Sequence, residues 1–353
     1  IYGTDISYQF ETKTSDINIQ HTAGIELRHD DIDNVGLYNT QARERLSTVR
    51  QDELKQTSYS SFWESKLLLT PKLEATVGVR YDYFDTNVTS ITAVNSGKAK
   101  DDLVSFKGSL NYRFTNLVAA YANWGQSFHS NDARGSTINI DPVTGEQAEQ
   151  VDLLVKSEGA EIGVRFADEQ KFNLSAALWW LTHDSELVFV GDAGNTPSDA
   201  SKRYGLEISA YYWINDSFSI DAETSFTHSR LDINDNNDYI EGAVPVVAST
   251  GLNWHLSEQW QSSVRVRHIG KRTLTSDGDE RSEPLTVVNS AISYEQTHWK
   301  VNFELLNLFN STDHDIDYYY ASRLPGESAQ GVEDNHFHPI EPRTARLTLS
   351  LLF

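Results

Sequence analysis

Cysteine is absent from the 353 residues, which excludes disulfide frameworks and thiol chemistry. Methionine is absent too, and the chain opens on Ile1 without a signal-peptide pattern, so a processed or partial chain is expected. No run of eighteen apolar residues occurs, which excludes a transmembrane helix. Basic residues are scarce, 29 against 51 acidic ones, for a net charge of −22. Nucleic-acid binding through the net field needs the opposite sign, so no nucleic-acid partner is expected. Catalytic signatures are also missing: there is no Gly-x-Ser-x-Gly, no His-Glu-x-x-His and no phosphate-binding loop. Carboxylates are plentiful but none forms a distinguished pair. The chain therefore reads as a non-enzyme, with no cofactor and no metal expected.

What is present is period-two alternation. Trp299, Val301, Phe303 and Leu305 alternate with Lys300, Asn302, Glu304 and Leu306. Leu347, Leu349, Leu351 and Phe353 alternate with Arg346, Thr348, Ser350 and Leu352. One face of each such strand is apolar and the other largely polar. A soluble sheet buries the apolar face, whereas a membrane barrel turns it to lipid. The low hydrophobic content, 39%, is compatible with a barrel because its strands are only half apolar.

The alternation predicts fifteen strands, at 1–10, 17–31, 54–69, 73–88, 103–114, 117–130, 159–166 and 172–190, then 203–214, 218–233, 243–256, 260–271, 285–294, 299–309 and 343–353. Most have ten residues or more, longer than the five or six typical of soluble domains and close to the roughly nine to eleven a tilted membrane strand needs. The connections alternate short and long. Short turns precede residues 17, 73, 117, 172, 218, 260 and 299, and long loops cover 32–53, 89–102, 131–158, 191–202, 234–242, 272–284 and 310–342. Outer-membrane barrels show this alternation, with short periplasmic turns and long external loops. Phe114, Phe166, Phe172, Trp213, Phe218, Trp254, Trp260, Tyr294 and Trp299 flank the short turns, at the height of a membrane–water interface. Counting back from the last strand, the first also runs inward. Single-chain bacterial barrels have even strand numbers, so N-terminal strands are expected outside this chain.

The outer loops are acidic. Asp30-Asp31-Ile32-Asp33-Asn34, the 232–238 run and Asp277-Gly278-Asp279-Glu280 have the chemistry of turns, because Asp and Asn bond their own backbone. Divalent-cation binding is the sharper alternative, but no segment has the spacing of a calcium loop. His336-Phe337-His338 would put two imidazoles on one strand face, either as a hydrogen-bonded pair or as two metal ligands lacking a third.

Asn307-Leu308-Phe309-Asn310 closes the penultimate strand, and Glu341-Pro342-Arg343-Thr344 opens the last. Tyr318-Tyr319-Tyr320 and Leu324-Pro325-Gly326-Glu327 lie in the loop between them. In these and several other segments the chain resembles the C-terminal part of TonB-dependent outer-membrane receptors. Gly205-Leu206-Glu207 is similar to a frequent strand start of the family, and Gly125–Asp132 to an aromatic strand entering an outer loop. Phe353 resembles the terminal signal read by the barrel-assembly machinery.

The resemblance implies an all-β antiparallel transmembrane barrel of 22 strands around a plugged lumen. Residues 1–353 would be its C-terminal portion, with about seven N-terminal strands and the plug domain missing. It further implies a Gram-negative outer-membrane location and import of a ferric siderophore, haem, cobalamin or glycan, driven by the TonB complex through the missing N-terminal region. Outer-membrane lipid and lipopolysaccharide would surround it. A passive porin-like channel and a secreted all-β carbohydrate-active protein are the alternatives. Candidate ligand contacts are Phe128, His129, Asp132, Arg134, Tyr318, Tyr319, Tyr320, Arg323, His336 and His338. For the three tyrosines, an upper aromatic belt competes with a ligand-stacking surface. For Arg323 and Arg343, ion pairing at the rim competes with anion capture. The acidic mouth disfavours a bare anionic substrate.

Overall fold

A computed structural model describes residues 1–14, 17–168, 171–189 and 195–351. Strands come first: β1 (Tyr2–Thr14), β2 (Ile17–Gln41), β3 (Glu44–Thr70), β4 (Leu73–Ser90), β5 (Gly97–Arg113), β6 (Val118–Ser130) and β7 (Leu154–Asp168). β8 (Phe172–His183), β9 (Glu186–Phe189), β10 (Asn195–Ser198), β11 (Ser201–Asn215), β12 (Phe218–Leu231) and β13 (Val246–His255) follow. β14 (Trp260–Ile269), β15 (Leu285–Gln296), β16 (Trp299–Leu306), β17 (His314–Ser322), β18 (Val332–Pro339) and β19 (Thr344–Leu351) complete the chain. Fifteen of them form one sheet in the order β1 to β8, β11 to β16, then β19. β9 pairs with β10, and β17 with β18, as separate two-stranded sheets. The fifteen-strand reading and the all-β class therefore hold.

The chain divides into two compact units. Residues 1–112 with 122–160 make the first, and 113–121 with 161–353 the second. In each, the register separates an apolar from a polar face. In the first unit Ala23, Trp63, Val79 and Phe106 form one cross-strand row, and Ile25, Ser61, Tyr81 and Val104 the next. In the second, Ile220, Leu252 and Val264 form a row, and so do Ile292, Phe303 and Leu347. The opposite face of the second unit carries Asp221 beside Arg265, at 2.9 Å, with Gly251 between them. A Cβ on Gly251 would come within 2.6 Å of both charged groups, so only glycine leaves that ion pair its room.

Burial is inverted relative to a soluble sandwich. Among the described residues nine hydrophobic side chains are buried, against eighteen polar or charged ones. Phe303 and Trp299 remain more than a third exposed, as does Leu347. The soluble alternative requires those residues in a core. The one buried hydrophobic cluster among the described residues, Val88, Ala133 and Leu153 with Leu54 and Phe84 against it, sits in the first unit and joins the 131–153 segment to the sheet.

The long loops differ from expectation. Residues 32–53 form a hairpin rather than a loop, because β2 and β3 stay paired out to Gln41 and Glu44. The turn places Ala42 (φ 48°) and Arg43 (φ 70°) in the left-handed region that hairpin turns require. Neither is glycine or asparagine, so the usual hairpin signal is missing. Residues 310–342 likewise hold the β17–β18 hairpin, whose acids mask its alternation. The last strand ends at Leu351, and Phe353 lies outside the described residues.

The two faces predict different tolerance to charge. In a bilayer Val264→Arg, on the apolar face at mid-strand, should cost about 2–4 kcal/mol. Ser263→Arg, on the polar face, should cost much less. Equal losses in denaturant titrations of the two variants would rule out this register against lipid.

Candidate functional site

In the first unit, β6 delivers Phe128 to the start of the 131–153 segment. The Phe128 ring meets Phe84 edge-on, with centroids 5.8 Å apart. Asn131 turns inward, donating its side-chain amide to the Asp152 carbonyl at 2.7 Å and its backbone N–H to the Leu153 carbonyl at 2.9 Å. Arg134 then folds back on Asp132, donating from Nε at 2.9 Å and from Nη2 at 2.5 Å. Its Nη1 also lies 3.7 Å from Asp52, a carboxylate with no exposed side-chain surface that Arg50 holds from the other side. Asp132 and Arg134 thus anchor the 131–153 segment, with Phe128 packed on Phe84 just before it. His129 is half-buried and, by strand alternation, lies on the opposite face of β6 from Phe128.

Below the anchor, the polar face forms a cavity of ≈ 460 Å³ lined by Thr22, Glu26, Phe62, Arg80, Lys107 and Phe128. Arg80 bridges Glu26 (2.6 Å) and Asp82, and Ser60 donates to Asp82 at 2.6 Å. Lys107 pairs with Glu64 at 2.5 Å. The charges there are compensated, and the cavity is wide enough for a small molecule.

The second unit holds a different cavity, ≈ 340 Å³, lined by Tyr121, Glu161, Glu207 and Glu223 among others. Tyr121 donates to Glu161. Glu207 and Glu223 have no side-chain partner among the described residues and stand on adjacent strands, Glu207 facing Ser225 and Glu223 facing Ser209. Sequence reasoning missed this acidic patch. The signal was Glu207 in the Gly-Leu-Glu strand start, which announces a strand but not that Glu223 will stand beside it.

The last outer segment brings the remaining candidates onto the β17–β18 hairpin. Tyr318 faces His336, but the His336 ring stacks on Tyr320 at 3.8 Å and shares a 2.7 Å hydrogen bond with Ser322. His338 donates from Nδ1 to Asp315 at 2.8 Å. The two imidazoles therefore have separate partners, and no cluster of three or more metal-binding side chains occurs among the described residues. Asp317 is buried at the base, accepting from Arg272 at 2.5 Å and from His314 at 2.9 Å. Arg272, absent from the sequence-derived candidates, is the bolt joining this hairpin to the 272–284 segment. Tyr319 projects to the side opposite Tyr318 and Tyr320. Burial and the nearby Glu280, Glu333 and Asp334 push its hydroxyl pKa up, which keeps it a neutral donor. Arg323 stands exposed at the hairpin tip and donates to the Glu327 carbonyl at 3.3 Å rather than to a carboxylate.

Comparison with known proteins follows this geometry. The family model described as TonB dependent receptor-like, beta-barrel matches residues 1–308. The ferrichrome outer membrane transporter/phage receptor of Escherichia coli (strain K12) is 24% identical over 237 residues, 64% of this chain and 30% of that protein. The crystal structure of the ferric-catecholate import receptor Fiu from K12 E. coli superposes with a TM-score of 0.74 at 15% identity, covering 98% of this chain and 54% of that one. The unliganded ferric citrate transporter FecA gives a TM-score of 0.76 at 13% identity, covering 99% and 54%. The chain thus spans about half the length of the solved structures it resembles, and less of the curated relative.

The anchor predicts an acid-sensitive segment. Burial works against the ionised Asp132, but the hydrogen bonds and charge of Arg134 outweigh it and hold the carboxyl below its ordinary value. A depressed carboxylate pKa gives stability that is complete above the unfolded value, about 3.9, and is lost as pH falls through the folded value. Amides of 131–137 should therefore stay protected from hydrogen exchange at neutral pH and lose protection below roughly pH 4. Arg134→Gln should expose them at neutral pH already. Protection that survives both changes would assign the anchoring to Asn131 alone.

Proposed function

We propose, since this chain belongs to the TonB-dependent receptor-like β-barrel family, that it is the barrel part of an outer-membrane receptor importing a ferric siderophore-type chelate. The observation that carries the reading is a fifteen-stranded antiparallel sheet with one apolar face, one ion-paired polar face and hairpins built into its outer connections. Among the proteins it resembles, one is named for ferrichrome, one for ferric catecholates and one for ferric yersiniabactin. A chelate that is neutral or positively charged suits the net charge of −22 better than a bare anion. Family membership weighs against the porin-like and carbohydrate-active alternatives.

The unpaired edges support completion by further strands. β1 has a single neighbour, β2, and exposes Tyr2, Ile6 and Tyr8. A long bare edge of that kind is a template for mispairing, and barrels remove it by closure. Strands outside this chain would cover β1, and a plug outside it would fill the polar face and contact the TonB complex. Phe353 would serve the assembly machinery, and lipid would cover the apolar face.

At the mouth, Tyr318, Tyr319 and Arg323 offer two aromatic surfaces and an uncommitted guanidinium to the chelate. Phe128, His129, Asp132 and Arg134 shape the rim on their own unit. His336 and His338, already bonded, orient the hairpin rather than bind iron.

Uptake of radiolabelled ferric chelates by a strain lacking the full-length receptor, with and without plasmid-borne copies, tests this. Uptake should depend on the receptor and on an intact TonB complex. The double variant Tyr319→Ala/Arg323→Gln should weaken chelate binding by about tenfold. Receptor-dependent entry that persists without TonB would replace the import reading with passive diffusion.

A further inference from the structure

On the polar face of the first unit, Gly24, Phe62, Arg80 and Ser105 form one cross-strand row. The Phe62 ring lies over Gly24, where a Cβ would come within 2.5 Å of it. Phe62 and Phe128 both line the ≈ 460 Å³ cavity. Phe84 braces the Phe128 ring edge-on, with 87° between the ring planes. Ser105 lines the same cavity and is 7% exposed, yet its hydroxyl has no hydrogen-bond partner among the described residues. A buried hydroxyl left in that condition is costly and calls for a partner. Beside it, Arg80 donates from Nε to Asp82 at 3.0 Å and from Nη2 to Glu26 at 2.6 Å. Its Nη1 has no partner among the described residues. Lys107, also on the cavity wall, is paired with Glu64.

We propose that this cavity binds an aromatic arm of the chelate, a ring that carries oxygen as a phenolate or a catecholate does. Phe62 and Phe128 supply ring surfaces for stacked or edge-on contact. Ser105 Oγ and Arg80 Nη1 both donate, so they meet the ring oxygen whether it is protonated or bound to iron. The charges select against a different aromatic ligand. Glu26, Glu64 and Asp82 stand against Arg80 and Lys107, which leaves no net positive charge to hold an aryl carboxylate. The volume falls within the roughly 300–1,000 Å³ of small-molecule pockets and exceeds what one inserted side chain of a covering domain would fill. Phe128 stands near the outer end of β6, which puts the cavity within reach of a ligand arriving at the mouth. The proposal rests on the import reading above and narrows the chelate to an aryl-bearing one.

The test compares two synthetic ferric chelates of equal charge on full-length receptor purified in mild detergent. One chelate has a phenolate arm, and the other has a hydroxamate in its place. Wild-type receptor should bind the phenolate chelate about tenfold more tightly, read by quenching of tryptophan fluorescence. Ser105→Ala and Phe62→Leu should each bring the two affinities close to parity. Ser105→Ala removes a hydroxyl that has no partner, so the ligand-free variant should fold with a denaturation midpoint no lower than wild type. A lower midpoint with the preference intact would mean that the plug already pairs with that hydroxyl, and it overturns the proposal. Equal binding of the two chelates by wild type overturns this site and leaves the import reading standing. A receptor that binds neither chelate and supports uptake of neither sinks the import reading and this site with it.

Discussion

Every backbone N–H and C=O that enters hydrocarbon must find its partner within the protein, since no water is there to substitute. The structure follows from that requirement. Strands of eight residues and more are joined edge to edge in chain order, and their register sorts side chains by face. A slip of one residue on any strand would carry Asp221, Arg265 and Glu304 to the apolar side and Leu252 and Phe303 to the polar side. Ion pairs across the polar face, such as Arg80 with Glu26 and Arg265 with Asp221, act with the backbone ladder to hold that register. The scarcity of buried hydrophobic side chains is the same fact seen from outside. The large apolar side chains lie mostly on the exposed face of the sheet, and little is left for a core.

Outside the sheet the physics changes. The outer connections have water available, so they can be irregular, and they are held by local devices rather than by a ladder. Asp52 and Asp132 with Arg50 and Arg134 fix one segment, and Arg272 with Asp317 and His314 fixes another. Both devices bury a carboxylate against arginine, an arrangement in which losing one partner leaves the other charge stranded. That makes each segment all-or-none in its attachment.

The site was only partly legible in advance. Asp132 and Arg134 are neighbours in sequence and pair in space, because a tight turn follows β6. His336 and His338 share a strand face as alternation demands, yet Tyr320, Ser322 and Asp315 claimed them separately. Arg272 and Asp317 are 45 residues apart and carry no motif. Nothing local marks Arg272 among the chain's other arginines. Glu207 and Glu223 show the same limit, since their proximity depends on which residues β11 and β12 set opposite each other.

The sequence by itself determined the fold class, the number of strands in the main sheet, the face each side chain takes and the alternation of short and long connections. Those properties are written in a two-residue period and in turn residues, which any short window reports. Only the tertiary structure decided that residues 32–53 and 310–342 are hairpins, and which charged groups meet across distant segments. The turn at Ala42 and Arg43 is held in its left-handed conformation by the paired strands on either side, not by the preference of those two residues. The ion pairs and cavities likewise depend on register between strands, a relation between segments that no single stretch of chain contains.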